Sequence, residues 1–398
     1  MSSTLTASMR RMSKLMRPAK MATATRSFQK AMSGFMMETA LAPLAAKKPK
    51  AGRSRKEASP KTAPPKTVSP KGGRKLGAVI RQLRAAQSLM SGAAVETRSR
   101  EISLRIPDGA QYLARKHRNA AGSRSYKIYI PASQPIRPRG LIVMLHGCSQ
   151  TPDDFAAGTR INALAEKHGL AVAYPAQTRG HNRASCWNWF KPGNQIRGAG
   201  EPAILASLTR KLMREFGLGR DAVFVAGLSA GGAMAAILAD VYPDVYSAAG
   251  IHSGLTRGAA SNVISAMSAM RKGGKPDSIV TTIAPTLKMG SFPVRRIVFQ
   301  GDADTTVHPS NAAMIVAAAL GSDAVPSKVG KRTVRGRGYA RSQYPGSDGA
   351  VHFELWMIEG SGHAWSGGHA AGSYTDNRGP DASAQMVRFF LEASLKNE

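Results

Sequence analysis

The chain has 398 residues, a formal charge of +32 and two cysteines. That length suits one large domain with an extension. No segment approaches the eighteen or so consecutive apolar residues that a membrane-spanning helix needs, and no Cys/His/Asp cluster has metal-ligand spacing.

The charge is unevenly placed. Residues 1–100 hold 22 Lys and Arg against three acids, Glu38, Glu57 and Glu96, so they read as a basic arm, and residues 101–398 as the folded domain. Within the arm, Met9, Met12, Met16, Met21, Phe28, Met32 and Phe35 recur at helical spacing, interrupted at Pro18. Residues 47–75, rich in Pro, Lys and Ser, lack apolar periodicity and are expected to be disordered. Leu76, Val79, Ile80, Leu83 and Met90 then share one helical face. The longest apolar candidate for a secretory signal, Phe35 to Ala46, contains Glu38 and Pro43 and lies far from the start.

Beyond residue 110, strands and helices alternate, which predicts an α/β domain with a mostly parallel sheet covered on both faces. The predicted strands are Tyr126–Ile130, Leu141–Leu145, Leu170–Ala173, Ala222–Ala226, Ala248–Ile251, Arg296–Gln300 and His352–Ile358. The predicted helices are Asp153–His168, Glu201–Glu215, Gly231–Val241, Asn311–Leu320 and Asp381–Ala393. Residues 256–290 read as an excursion over the site.

Three strand ends carry the chemistry. An apolar run leads into Gly227-Leu228-Ser229-Ala230-Gly231 and then a small-residue helix. This is the setting of a nucleophile elbow, in which a tight turn projects the serine hydroxyl above the sheet. The bare G-x-S-x-G pattern is weak; the flanking strand and helix give it weight. Asp302 and Asp304 follow the strand ending at Gln300, and His363 follows the strand ending at Ile358, between Gly360, Gly362 and Trp365. Ser, then Asp, then His is the triad order of the α/β-hydrolase fold. The acid must reach back from its loop, which favours Asp304 and leaves Asp302 as a turn-stabilising carboxylate. His146, His252, His308 and His369 are the rivals of His363, and Gly360 and Gly362 free the loop to present His363 after the last strand.

A serine hydroxyl needs a histidine base, and the carboxylate orients that base. The oxyanion needs N–H donors: one from Ala230, after the nucleophile, and one from the loop His146-Gly147-Cys148-Ser149-Gln150. Cys148 is the expected second donor, with Ser149 the alternative. No cofactor is required. Trp187, Trp189 and Trp365 are candidates for lining a substrate cleft, and equally for packing.

Residues 145–155 (LHGCSQTPDDF), 186–190 (CWNWF), 227–235 (GLSAGGAMA), 301–311 (GDADTTVHPSN) and 360–368 (GSGHAWSGG) resemble the poly(3-hydroxybutyrate) depolymerase family of esterases, which includes feruloyl and acetyl-xylan esterases. The resemblance covers about residues 110–395. Its G-x-x-D-x-x-V spacing falls on Asp304. It implies a serine ester hydrolase acting on poly(3-hydroxybutyrate) or its oligomers, with feruloyl or acetyl-xylan esters as the alternative. It also implies a Cys148–Cys186 disulfide, worth roughly 3–4 kcal/mol in the chain-entropy model. The resemblance and the cysteine pair favour an extracellular location; the missing signal favours a cytoplasmic or granule-associated one, with two reduced thiols. A reading of another class makes the chain a binding protein whose arm holds nucleic acid, a polymer granule or another anionic surface. A complete triad argues against that as its sole role.

Overall fold

The computed structural model describes residues 104–132, 137–273 and 294–392. The expectations for residues 1–100 lie outside the described residues, as does the second half of the 256–290 excursion.

The strands are β1 (Gln111–Asn119), β2 (Gly122–Ile130), β3 (Gly140–Leu145), β4 (Leu170–Pro175), β5 (Val223–Leu228), β6 (Ala248–His252), β7 (Arg295–Gly301), β8 (Lys328–Val334), β9 (Arg337–Pro345) and β10 (Val351–Ile358). They form one ten-stranded sheet in the order β1-β2-β4-β3-β5-β6-β7-β10-β9-β8. From β4 to β10 the neighbours run parallel. Antiparallel strands extend both edges. The helices are α1 (Pro152–Thr159), α2 (Ile161–His168), α3 (Gly200–Phe216), α4 (Ala230–Val241), α5 (Val263–Lys272), α6 (Ser310–Leu320) and α7 (Ala382–Leu391).

The central strands are apolar along their whole length because both sheet faces are covered. Alternate residues point to opposite faces. Leu141, Val143, Val223 and Val225 join one core with residues of α3 and α4. Ile142, Met144, Phe224 and Ala226 join the other with residues of α2 and α7. Fully burying such side chains contributes about 1.5–3 kcal/mol each. The buried polar exceptions are His252 in β6, Glu354 in β10 and, in β7, Gln300, Arg296 and the strand's first residue, Arg295. Its guanidinium donates to Phe389 O (2.8 Å) and Phe390 O (2.9 Å), satisfying carbonyls in the last turn of α7.

Three strands, one helix and one helix break depart from the sequence reading, the helix being α5, within the stretch read as an excursion. β1, β8 and β9 are edge elements with little apolar surface to bury, and β8 is exposed almost throughout. The single helix expected over Asp153–His168 is two helices, α1 and α2, because Arg160 adopts a left-handed conformation (φ 52°). Gly158, just before the break, lies against Gly372 and Thr375, where a Cβ would approach Thr375 Cγ2 to 2.9 Å. Its carbonyl accepts the His369 N–H at 2.8 Å. The interrupted helix thus seats the loop that follows His363.

Candidate active site

Ser229 lies just past the C-terminal end of β5, in the conformation φ 58°, ψ −119°, and α4 begins at the next residue. Such a conformation costs a non-glycine residue about 1–3 kcal/mol and persists only where its surroundings enforce it. Here the Ser229 N–H donates to His252 O at 2.8 Å. A Cβ on Gly227 would lie 2.4 Å from the Gly231 carbonyl, and one on Gly231 would lie 2.0 Å from Leu145 O. Both glycines are therefore demanded by the close approach of β5, α4 and β3.

Asp304 and His363 meet from separate strand ends. His363 Nδ1 lies 2.7 Å from Asp304 Oδ2. Asp304 Oδ1 accepts the amides of Thr306 (2.8 Å) and Val307 (2.9 Å), and Gln300 donates its side-chain amide to Oδ2 at 3.2 Å. Burial works against its charge, but His363 and these amides outweigh it and hold the carboxyl below the usual carboxylate range. Gly301 permits the meeting, since a Cβ there would sit 2.2 Å from Ser361 O. Asp302 points elsewhere. Its Oδ1 accepts the Gly360 N–H at 2.6 Å, and burial raises its pKa.

The rival histidines have other work. His146 Nδ1 lies 2.8 Å from Gly147 O and its Nε2 accepts the Gln177 N–H at 3.0 Å, which makes it a neutral Nδ1–H tautomer. His252 Nε2 accepts the Ser366 N–H at 3.0 Å, and its ring stacks between Phe299 and Trp365. His308 pairs with Ser310, and His369 accepts the Ala371 N–H. Burial takes His146 down to about 4; burial, then the charge of His363, takes His252 down to about 3. An unfolded chain protonates both rings near pH 6.5, whereas the folded chain leaves them neutral. The unfolded state therefore binds more protons below that pH, and stability falls as the pH drops from 6.5 towards 4. Each ring contributes up to about 1.4 kcal/mol per pH unit in that window. Urea unfolding at pH 7.5, 6 and 5 is expected to show this loss; a flat stability between pH 6.5 and 5 contradicts it.

The loop after β3 reaches Ser229 through Cys148, which lines both cavities beside the serine. The Gly147 N–H donates to Gln150 Oε1 (2.9 Å) and the Ser149 N–H to Ala184 O (3.0 Å). With both flanking amides committed, Cys148 rather than Ser149 is the candidate donor beside Ala230. Cys148 and Cys186 form a disulfide. It ties this loop to the loop 182–190, as does the Trp187 Nε1–H donating to His146 O at 3.0 Å.

Beneath that second loop lies Glu201, buried in the first turn of α3. It accepts the Asn188 N–H (2.7 Å), the Asn188 side-chain amide (2.8 Å), the Gln177 side-chain amide (2.6 Å) and the Arg124 guanidinium (2.9 Å). The sequence reading passed over Glu201, because an acid in a first helical turn is ordinary. Its fourfold pairing appears only once the loop is folded over it.

Two cavities open beside Ser229. One is apolar and walled by Trp189, Phe190, Leu255, Ala266 and Met270. The other is smaller and lies between Cys148, His363 and Tyr374. Of the three tryptophans expected at a cleft, Trp189 lines the first cavity. Trp187 and Trp365 do not line either one: they are 0% and 1% exposed, so neither offers a face to a ligand. Trp365 instead stacks on His252 and donates its Nε1–H to Ser383 Oγ at 3.0 Å. Among the described residues, no three His, Cys, Asp or Glu side chains converge as a metal site, and no helix is long and apolar enough to cross a membrane.

Comparison with known proteins finds relatives of the chain. The chain is 30% identical over 238 residues to poly(3-hydroxyalkanoate) depolymerase C of Paucimonas lemoignei, covering 59% of this chain and 57% of that protein. It is 26% identical over 230 residues to acetylxylan esterase A of Talaromyces purpureogenus, covering 55% of this chain and 59% of that one. The chain thus spans somewhat over half the length of these curated relatives. An acetyl xylan esterase structure from Aspergillus awamori shares the fold, with a TM-score of 0.54 at 21% identity over 64% of this chain and 93% of that one. The family model described as Esterase PHB depolymerase matches residues 124–338, more than half of the sequence, and the chain belongs to that family.

Proposed function

We propose that the protein is a serine carboxylic-ester hydrolase that works through an acyl-enzyme. The observation that carries this is the convergence of Ser229, strained on its elbow, with His363 in one cavity while Asp304 holds the far side of the imidazole. In this reading Ser229 Oγ attacks the ester carbonyl. His363 donates from Nδ1 to Asp304, so its Nε2 takes the serine proton and returns it to the leaving alcohol. The N–H groups of Cys148 and Ala230 receive the oxyanion, each such donor being worth about 3–4 kcal/mol in the transition state. Water, activated by the same histidine, then releases the acid. No cofactor enters any step.

Poly(3-hydroxybutyrate) or its oligomers is the proposed substrate class, supported by the depolymerase relative and by the apolar cavity beside Ser229. An acetylxylan esterase and a feruloyl esterase among the relatives support acetyl or feruloyl esters as the second reading. Hydrolysis of 3-hydroxybutyrate oligomers, an acetylated xylan and methyl ferulate is to be compared on one preparation. The oligomers are expected to give the highest kcat/KM; a preference for methyl ferulate or acetylated xylan overturns the substrate assignment. The disulfide supports an oxidising, extracellular location.

For residues 1–100 we propose a localising arm, outside the catalytic fold. All candidate site residues lie beyond residue 140, and the arm concentrates positive charge beside amphipathic sequence that can adsorb to a polyester granule, an anionic membrane or nucleic acid. A protein beginning at Glu96 is expected to keep kcat/KM on a soluble ester and to lose salt-sensitive adsorption. Loss of soluble-ester activity on truncation would place the arm in the catalytic fold.

A further inference from the structure

Two cavities meet at Ser229, and His363 lines the smaller one and not the larger. In acyl transfer, the acid that protonates the leaving alcohol must reach its oxygen. The alcohol half of the ester therefore lies on the His363 side of the serine, and the acyl half takes the apolar cavity. Tyr374 forms a wall of the alcohol side together with Leu228 and Cys148. We propose that Tyr374 is the residue that selects the alcohol half of the substrate, an inference that rests on the roles given above to Ser229 and His363.

The ring is held there against its backbone preference. Tyr374 sits at φ 52°, a conformation that a bulky residue adopts only when neighbours impose it. Its carbonyl accepts the Trp365 N–H at 2.7 Å. Its hydroxyl lies 3.2 Å from Ser149 Oγ. Ser149 already donates to Cys148 O at 2.5 Å, so the tyrosine is the donor. The preceding residue is fastened as well. The Ser373 N–H donates to Asp154 Oδ1 (2.8 Å), and Ser373 O accepts from Gln150 Nε2 (3.0 Å). Through its Oε1, Gln150 also holds the Gly147 N–H of the oxyanion loop. One glutamine thus fixes the position of the tyrosine relative to the candidate anion donors. The half-buried phenol offers an apolar ring face to an alkyl or aryl alcohol, and its hydroxyl is already engaged.

The test uses two esters with one acyl group, ethyl butyrate and benzyl butyrate, so that both pass through the same butyryl-enzyme. Tyr374→Gly removes the wall and suits the left-handed backbone; Tyr374→Asn also tolerates that conformation and is the second variant should the first fail to fold. Tyr374→Phe keeps the ring. In the glycine and asparagine variants, kcat/KM for the benzyl ester is expected to fall by roughly tenfold or more relative to the ethyl ester. Tyr374→Phe is expected to keep the wild-type ratio. An unchanged benzyl-to-ethyl ratio in a folded variant overturns the proposal, whatever happens to the absolute rates. Failure of the underlying assignment reads differently: the wild-type protein would form no butyryl-enzyme.

Discussion

Ser229→Ala is expected to lower ester turnover by on the order of 10⁶-fold in a protein that remains folded. Alanine keeps the Cβ and fits the same small space, so the elbow and the Ser229 N–H bond to His252 O are preserved. The change removes only the oxygen that attacks. The candidate oxyanion amides and the His363–Asp304 pair are left in place, so a residual acceleration of about 10³–10⁴ over water is expected to survive. Steady-state kinetics on p-nitrophenyl butyrate, with circular dichroism as the folding control, measures this. Retention of substantial kcat in the folded variant removes Ser229 from the role of nucleophile.

Asp304→Asn is expected to cost about 10⁴-fold in kcat, with KM little changed. The carboxylate divides its two oxygens: Oδ1 takes the Thr306 and Val307 amides and Oδ2 faces His363 Nδ1. An asparagine oxygen has to stay on those two backbone donors, so its NH₂ group turns towards the imidazole. Nδ1 must then accept, the ring proton moves to Nε2, and the nitrogen beside Ser229 can no longer take a proton. Asp302→Asn leaves a side-chain oxygen to accept the Gly360 N–H and touches neither His363 nor Ser229, so it is expected to be far milder. The opposite ranking of the two variants would move the acid to Asp302.

The central strands and the candidate triad were legible because each is written locally. A strand buried on both faces must be apolar throughout, as in β3 and β5, and an elbow crowded by Leu145 O must have glycines at 227 and 231. The choice of Asp304 over Asp302 followed from how far a loop carboxylate must reach. What was not legible depends on contacts distant in sequence. β8 and β9 carry no apolar run, since an edge hairpin buries little. The break at Arg160 is set by a loop more than two hundred residues downstream. A tryptophan's identity says nothing of whether it faces a cavity, as with Trp189, or the core, as with Trp187 and Trp365. Tyr374 lies in a loop of Gly, Ser and Thr whose register no periodicity fixes, and Glu201 is recognisable only from the four donors that the folded loop and β2 bring to it.

The claim that the chain acts through an acyl-enzyme on Ser229 is tested most directly by covalent labelling. The full-length protein is treated with a small alkyl fluorophosphonate, digested, and mapped by mass spectrometry alongside the loss of ester turnover. The expected result is one adduct per chain on the peptide containing Ser229, formed in proportion to the activity lost and absent from Ser229→Ala. An adduct confined to another residue, or full activity in a chain labelled at Ser229, would contradict it.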